Sequence, residues 1–300
     1  MKSPVFINMN CPICSTNKYS QIIYKANLEK DINDVDYSGR KKPDGLHYEM
    51  VRCMNCSLLY ASQIYNDSVT EKLYTESYFG YKSELKGLKK TYGNCMVEGE
   101  KTLNNKENFL EIGCGNGFVL EIAKKNGWKN IMGIEPSLKS IENSNPDIKN
   151  KIFNGIFDAS NYQNNFFDMI FVAMLIEHVP DINKFLRDIY KILKPGGSLV
   201  TICHNEGHFL SKLFKNKHPI INDEHNYIFR PNTIKKIYKK NNFKNLKIKN
   251  LKNYYPVGYW IKMMPIKLSF MKITNLKLIN KLLKINIGIK AGNIFVIAKK

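Results

Sequence analysis

The last quarter of this 300-residue sequence contains no acidic residue. Residues 225–300 hold 17 lysines and Arg230, which leaves 28 basic against 26 acidic residues in the first 224. The net charge of +20 therefore belongs almost entirely to a basic C-terminal region that follows a nearly neutral body. Such a region is typical of proteins that bind nucleic acid, anionic lipid or phosphorylated small molecules. A coding bias toward Lys, Asn and Ile explains the lysines equally well, but not the missing acids.

The sequence also lacks long apolar segments. No run of about 18 apolar residues is free of charged residues, so the sequence predicts no transmembrane helix. The first residues, MKSPVFINMNCPIC, lack the apolar core of a secretory signal, so we expect a cytoplasmic protein. In that compartment the seven cysteines favour metal ligands or reduced thiols over disulfides.

Four cysteines form two C-x-x-C pairs, Cys11 with Cys14 and Cys53 with Cys56. Each spacing lets two thiolates turn toward one ion, and two such pairs complete a tetrahedral zinc site. A closed site of four thiolates has no open position, so we predict a structural zinc in a ribbon-like β module over residues 1–65.

The surroundings of the two pairs refine this prediction. The segment HYEMVRCMNCSLLY predicts one strand entering the second turn and one leaving it, and the long spacing between the pairs requires a polar loop at about 30–46. Ser15 and Ser57 stand where a zinc knuckle often has glycine. We interpret Cys95, Cys114 and Cys203 as ordinary thiols.

The rest of the chain alternates apolar runs with amphipathic segments. Residues 66–105 are predicted to form a Tyr-rich, partly helical connector. From residue 106 onward, FLEIG, IMGIEP, FDMIFVAML and SLVTIC predict strands, while FVLEIAKKNG and DINKFLRDIYKIL predict helices. We expect Asp181 to cap the second helix and Pro195-Gly196-Gly197 to stop it. The alternation predicts an α/β fold with a parallel sheet that binds ligands beyond the carboxyl ends of its strands.

The first strand runs into a loop with glycines at alternate positions, Gly113, Gly115 and Gly117. Glycines there permit a tight turn and close approach of a ligand to the backbone. In the dinucleotide fingerprint the third glycine comes one residue later and the loop holds a pyrophosphate. Glu111, just before the loop, would repel a phosphate and suits a ligand with amine and hydroxyl groups. Further along, Glu135 ends the second strand, where an acid can accept both ribose hydroxyls.

Taken together, residues 109–202 resemble the class I S-adenosylmethionine-dependent methyltransferases, and especially the small-molecule branch that includes ubiquinone-biosynthesis-like enzymes. The resemblance rests on FLEIGCGNGF, IMGIEP, IFDAS and FDMIFVAMLIEHVPDINKFLRDIYKILKPGGSLVTI. The zinc module, and HNYIFRPNTIKKIYKKNNF after the core, also look like methyltransferases of sugar and cell-surface glycan pathways. The resemblance implies a Rossmann-like seven-stranded methyltransferase sheet over residues 106–300, with helices on both faces.

The resemblance also implies a cofactor site. Glu135 would hold the ribose, Asp158 the adenine amine, and residues 175–178 would border the methyl group. The full set of cofactor-binding residues implied in this way is Glu111, Gly113, Cys114, Gly115, Gly117, Glu135, Pro136, Asp158 and Leu175.

Methyl transfer to a hydroxyl requires a general base within hydrogen-bond reach. His178 follows the central predicted strand, His204 follows SLVTIC, and His225 precedes Arg230-Pro231. All three are candidates for this base, although a lone histidine is more often structural.

The segment at about 256–290 interrupts the final strands and is too apolar for a solvated loop. Its pattern predicts basic amphipathic helices that form a lid over the acceptor, lie on an anionic membrane surface at the inner face of the membrane, or cap the body.

Four functions compete. The first is methyl transfer to a small molecule, namely a glycan precursor or a nucleotide- or lipid-linked sugar in cell-surface polysaccharide biosynthesis. An RNA methyltransferase is the alternative, favoured by the zinc module and the basic C-terminal region. Against it, residues IEHVP differ from the N/D-P-P-Y/F motif, which resembles that of nucleic-acid enzymes that methylate amines. The glycine spacing and Glu111 argue against a nicotinamide-dependent oxidoreductase. The intact acids and glycines argue against a non-catalytic zinc-binding module.

Overall fold

The computed structural model describes residues 6–28, 45–77, 80–264 and 281–300. The strands are β1 (Phe6–Asn8), β2 (Ser20–Tyr24), β3 (Met50–Cys53), β4 (Leu59–Ala61), β5 (Gln63–Tyr65), β6 (Asn108–Ile112), β7 (Asn130–Glu135), β8 (Ile152–Asn154), β9 (Phe167–Ala173), β10 (Leu193–His204), β11 (Tyr227–Ile228), β12 (Lys244–Asn250), β13 (Asn253–Pro256), β14 (Asn286–Ile289) and β15 (Asn293–Lys299). The α-helices are α1 (Asp67–Glu76), α2 (Leu85–Glu100), α3 (Phe118–Lys125), α4 (Leu138–Glu142), α5 (Pro146–Lys149), α6 (Ile182–Ile192), α7 (Phe209–Phe214), α8 (Pro231–Lys240) and α9 (Val257–Lys262). Within the described ranges, every helix is too short or too polar to cross a membrane. The loop predicted at about 30–46 lies almost wholly outside the described residues.

Seven strands form the main sheet, in the spatial order β12-β15-β10-β9-β6-β7-β8. The strands from β8 to β10 are parallel, and β15 runs antiparallel to both of its neighbours. The strand order reverses between β6 and β9, so the connections leave in opposite directions and open a crevice at the carboxyl ends. The predicted Rossmann-like seven-stranded sheet is confirmed.

Helices cover both faces of this sheet, as predicted. Successive residues of a strand point to opposite faces. Accordingly, Phe109 packs in one apolar cluster with residues of α2 and α3, while Leu110 packs in another with residues of α6 and α8. The central strand β9 is buried along almost its whole length, which explains its nearly uniform apolar sequence.

Helix α6 begins as predicted but ends one residue early. The Asp181 side chain accepts a hydrogen bond from the Lys184 backbone N–H at 2.9 Å, which satisfies one free donor of the first turn. The helix stops at Ile192, because Leu193 is already extended and starts β10. The pairing of β10 with β9 is irregular between Leu193 and Ser198. The helix thus ends just before Pro195-Gly196-Gly197, in agreement with the prediction, and these three residues belong to the irregular start of β10.

The N-terminal module forms a small antiparallel sheet that is completed by the larger domain. Strands β2, β3 and β4 pair in order, as the sequence predicted for the strands flanking the second cysteine pair, and β1 pairs with β5. The fourth strand of the module sheet is β11, which pairs with β4 through Tyr227 opposite Tyr60. The zinc module and the domain therefore share one sheet.

The insertion predicted at about 256–290 is described only at its two ends, so its amphipathic helices stay a prediction. Residues 265–280 lie outside the described residues. In the described part, β13 pairs with β14 in an antiparallel ribbon, and the helix α9 between them is short. The helical pattern missed this ribbon, because the pairing strands are separated by about 30 residues and their Tyr and Ile content fits a strand equally well.

Candidate active site and zinc centre

The glycine-rich loop joins β6 to α3 through a backbone that favours glycine. Gly113, Gly115 and Gly117 have φ angles of +74°, +55° and +71°, in the left-handed region that L side chains rarely adopt. A side chain on Gly115 would collide with the Tyr81 hydroxyl, and one on Gly113 would lie 3.3 Å from Leu175. Gly117 faces apolar side chains beneath the loop, so it shapes the turn rather than the ligand surface.

A cavity of about 1010 Å³ opens at the carboxyl ends of β6, β7, β9 and β10. The predicted site residues that line it are Glu111, Gly113, Cys114, Gly115, Glu135, Pro136, Leu175, His178, His204 and His225. The structure thus brings all three candidate bases to one chamber with the predicted cofactor residues, except Gly117 and Asp158, which do not line it.

Two buried carboxyl groups face this chamber beside the glycine loop. Glu135 accepts hydrogen bonds from the backbone N–H groups of Gly115 at 2.8 Å and Ser137 at 2.9 Å. Glu111 is 3% exposed, and its Oε2 accepts no hydrogen bond from the described part of the chain. Burial, and then the nearby Glu135, raise the pKa of Glu111 well above its usual range. A cationic group bound in the cavity would satisfy Glu111 and restore its charge.

Asp158 lies at the edge of this arrangement. Its carboxylate accepts hydrogen bonds from the backbone N–H and the hydroxyl of Ser160, at 2.9 and 2.7 Å, and caps a short 3₁₀ turn. The side chain is exposed and does not line the cavity, whereas the neighbouring Ile156 and Phe157 do. The predicted adenine contact of Asp158 stays a prediction.

The three candidate bases form a row of rings. His225 lies in the middle, with its ring centroid 4.7 Å from that of His178 and 4.9 Å from that of His204. Nδ1 of His225 lies 2.8 Å from the Ile220 carbonyl oxygen, which can only accept, so Nδ1 carries the proton and Nε2 is the basic nitrogen. Burial, and then His225, hold the pKa of His204 well below its usual value, which keeps that ring neutral.

Glu177 is fully buried directly before His178 and fixes the geometry of the row. Its Oε1 accepts a hydrogen bond from the His204 backbone N–H at 2.7 Å, and its carbonyl accepts one from Asn226 N–H at 2.7 Å. Burial raises the pKa of the Glu177 carboxyl to about 7. One residue therefore ties together the three segments that carry the histidines.

The sequence analysis did not assign two tyrosines of the chamber to the site. The Tyr74 hydroxyl lies 2.8 Å from Nδ1 of His178, and Tyr81 covers the glycine loop. Both belong to the Tyr-rich connector, which was the one available signal. On another wall, Tyr255 packs against Tyr259 and Trp260, with centroids 4.3 and 5.2 Å apart.

The four predicted zinc ligands meet in space. Their sulfur atoms all lie within 4.8 Å of one another, with Cys11 Sγ 3.4 Å from Cys56 Sγ and Cys14 Sγ 3.7 Å from Cys53 Sγ. Zinc–sulfur bonds of about 2.3 Å in a tetrahedron place sulfurs about 3.8 Å apart, so the cluster fits one zinc ion.

The two knuckles of the cluster have the same backbone geometry. Ser15 and Ser57 have φ angles of +60° and +70°, and their N–H groups donate to the carbonyls of Cys11 and Cys53, both at 2.7 Å. The serines therefore occupy a left-handed position that favours glycine, as their place in the sequence suggested.

Polar contacts fasten this module to the domain beside the chamber. Arg52 donates to both carboxylate oxygens of Glu206, at 2.7 and 2.8 Å, and Glu206 also pairs with Arg230. Lys240 Nζ donates to the carbonyls of Pro12 and Ile13 in the first knuckle, at 2.7 and 3.1 Å. Some basic residues of the C-terminal region, such as Arg230 and Lys240, therefore form contacts within the molecule.

Comparisons with known proteins agree with this architecture. Residues 94–248, just over half of the chain, match the family model described as a methyltransferase domain. The chain is 31% identical over 109 residues to phosphoethanolamine N-methyltransferase 2 of Caenorhabditis elegans, which covers 34% of this chain and 25% of that protein. It is 28% identical over 109 residues to the mitochondrial ubiquinone biosynthesis O-methyltransferase of Rattus norvegicus, covering 32% and 30%.

The matched segment therefore spans a third or less of these two relatives. The solved structure of the YcgJ protein from Bacillus subtilis has a TM-score of 0.50 at 14% identity, over 70% of this chain and 98% of that one, which shows a shared fold. On the family match and the seven-stranded sheet, the chain belongs to the methyltransferase domain family.

Proposed function

We propose that this protein transfers a methyl group from S-adenosylmethionine to a small-molecule acceptor. The observation that carries the proposal is the pair of buried carboxyl groups, Glu111 and Glu135, beside a left-handed glycine loop in the same chamber as three clustered histidines. Family membership supports this reaction type.

The chain's own groups suit this cofactor. The Glu111 carboxyl, whose Oε2 accepts no hydrogen bond from the described residues, can pair with the ammonium group of the cofactor. Glu135, already held by two backbone N–H groups, presents its carboxylate to the ribose hydroxyls. Leu175 lies next to Gly113, where its apolar side chain would help to keep water from the reacting centre. When bound, S-adenosylmethionine supplies an electrophilic methyl group, and the protein's task is to align the acceptor with it.

The acceptor loses a proton as the new bond forms. In the proposed arrangement, Nε2 of His225 takes this proton, because Nδ1 is already protonated and held by the Ile220 carbonyl. His178 and His204 flank the His225 ring, and His204 is neutral and adds no positive charge that would oppose proton uptake.

We extend the proposal to a sugar or glycan precursor, carried on a nucleotide or lipid and used in cell-surface polysaccharide biosynthesis. Tyr255, Tyr259 and Trp260 contribute clustered aromatic rings to the cavity lining, which also contains histidine and asparagine side chains. Such a combination suits a ring with apolar faces and hydroxyl edges. The four-cysteine cluster is proposed to hold a structural zinc ion.

The test uses methyl-labelled S-adenosylmethionine with the purified protein and three extracts of its host: soluble nucleotide sugars and metabolites, membrane lipids, and total RNA. Label in either of the first two supports the small-molecule reaction and separates soluble from membrane-borne acceptors. Label only in RNA replaces it with the RNA methyltransferase alternative, in which the basic C-terminal region holds nucleic acid.

A further inference from the structure

Two surface elements flank the mouth of the cavity. Helix α7 contributes Leu210 and Phe214 to the cavity wall, and the β13–β14 ribbon with α9 contributes Met264 and Ile289. The loop before α7 and the loop after β14 meet where the backbone N–H of Asn205 donates to the Gly292 carbonyl at 2.7 Å, and Gly292 also lies beside His208, the N-cap of α7. The mouth is thus bordered by two neighbouring segments, each carrying apolar side chains.

The outward faces of these segments are also apolar. Phe209 and Leu213, four residues apart on α7, are 65% and 66% exposed, so this short helix is apolar toward both the cavity and the exterior. The second segment exposes Met264, Leu282, Ile285, Ile287 and Ile289. Single exposed apolar residues are ordinary, but a group gathered at the mouth of one cavity marks an interaction surface.

The charged side chains on these two segments are all basic. Exposed lysines interleave with them at positions Lys212, Lys215, Lys217, Lys262, Lys281, Lys284 and Lys290. The sequence holds no Asp or Glu from 207 to 222 or from 225 to 300, so no acidic side chain of these segments offsets the lysines. We call these apolar residues and lysines together the mouth patch.

We propose that the mouth patch docks on an anionic lipid bilayer, with the cavity opening toward the lipid. Apolar side chains that insert at the headgroup boundary and lysines that attract anionic headgroups act together in membrane-surface binding. A bilayer fits better than a protein groove, because the exposed side chains project outward from two separate elements. An acceptor anchored in lipid would then enter the cavity without leaving the membrane.

The experiment is co-sedimentation of the full chain with vesicles of phosphatidylcholine alone and of phosphatidylcholine mixed with phosphatidylglycerol. We expect binding only to the mixed vesicles, weakened by added salt as surface charge is screened. The double variant Phe209→Ser/Leu213→Ser should bind roughly tenfold or more weakly, because it removes two inserting side chains without changing charge.

The matched control is Ile22→Ser/Phe153→Ser, which removes two comparably exposed apolar side chains outside the mouth patch. It should bind like the unchanged protein, and thermal unfolding checks that both double variants are folded. The proposal is overturned if the unchanged protein ignores mixed vesicles, or if the two double variants bind alike. It is also overturned if the α7 variant abolishes a dimer instead, since the patch would then join two copies of the chain. Neither result bears on methyl transfer to a soluble acceptor.

Discussion

The backbone N–H of Asn226 donates to the carbonyl oxygen of Glu177 at 2.7 Å. The carbonyl of Asn226 in turn accepts a hydrogen bond from Ala61 of the zinc module at 2.9 Å. Asn226 thus links the end of the central sheet to the module, directly beside His225. Because β4 of the module pairs with β11, the module holds the segment that carries the proposed base.

Loss of zinc should therefore affect turnover more than cofactor binding. We expect Cys14→Ser to lose the metal and to lower the melting temperature by roughly 5–10 °C, because structural zinc contributes directly to folding free energy. Affinity for S-adenosylhomocysteine should change little, since the glycine loop lies on other elements, while turnover falls. Metal analysis, calorimetry and activity together measure this.

The matched control for the zinc prediction is Cys95→Ser, which changes a buried thiol outside the cluster. It should keep its zinc and its turnover. A metal-free Cys14→Ser protein with full turnover would show that the module does not position the acceptor side.

Ser57→Gly should stabilise the protein. Ser57 adopts a φ of +70°, where a side chain costs about 1–2 kcal/mol and glycine does not, although glycine gains entropy in the unfolded chain. The expected net gain is about 0.5–1 kcal/mol in the free energy of unfolding. Ser68→Gly, within α1, is the control and should destabilise by a similar amount. Equal effects of the two changes would contradict the assigned backbone strain.

Sequence patterns predicted the features that depend on local order. The strand before Gly113, the acid at the end of β7, the nearly all-apolar β9 and the cap Asp181 all follow from periodicity or from neighbouring residues. The two C-x-x-C pairs predicted a tetrahedral cluster because their spacing alone turns each pair of thiols toward one point.

Features that depend on distant contacts were not predictable in this way. The pairing of β11 with β4 joins two-to-three-residue strands far apart in sequence, and such short strands carry no periodic signal. The sequence did not show that Gly117 faces the core while Gly115 faces Tyr81.

Glu135→Ala should weaken S-adenosylhomocysteine binding by roughly 10–100-fold, since hydrogen bonds to a charged group contribute about 1.5–3 kcal/mol. Glu135→Gln keeps one carbonyl oxygen, so its affinity for S-adenosylhomocysteine should lie between those of the unchanged protein and Glu135→Ala. Titration calorimetry measures both. Glu142→Ala, an exposed acid on the nearby α4, is the control and should bind as the unchanged protein does. Unaltered affinity in Glu135→Ala would remove this residue from the proposed cofactor site.

His225→Ala should lower kcat by roughly 100-fold or more, because a positioned general base contributes on that scale. Cofactor affinity should stay unchanged, since the ring lies on the acceptor side. His178→Ala and His204→Ala test the two flanking rings in the same steady-state assay. Turnover that survives in all three variants, with cofactor binding intact, would rule out a histidine base.

Glu177 should make stability depend on pH in an unusual direction. Its pKa is about 7 in the folded chain against an ordinary 4.5, so the folded state binds the proton more tightly than the unfolded state. The stabilisation from this group is complete below the unfolded pKa and is lost as pH rises through the folded pKa. The shift corresponds to about 3 kcal/mol between the two limits.

Glu177→Gln removes this titration while keeping an oxygen for the His204 N–H. We therefore expect the free energy of unfolding of the variant, relative to the unchanged protein, to rise by about 3 kcal/mol between about pH 4.5 and pH 8. Urea unfolding of both proteins across this range measures the difference, in which all shared titrating groups cancel. For Glu142→Gln, at an exposed site, the difference in free energy of unfolding from the unchanged protein should not vary with pH. A flat curve for Glu177→Gln as well would mean that this carboxyl is ionised in the folded chain, and that a cation or water satisfies its second oxygen.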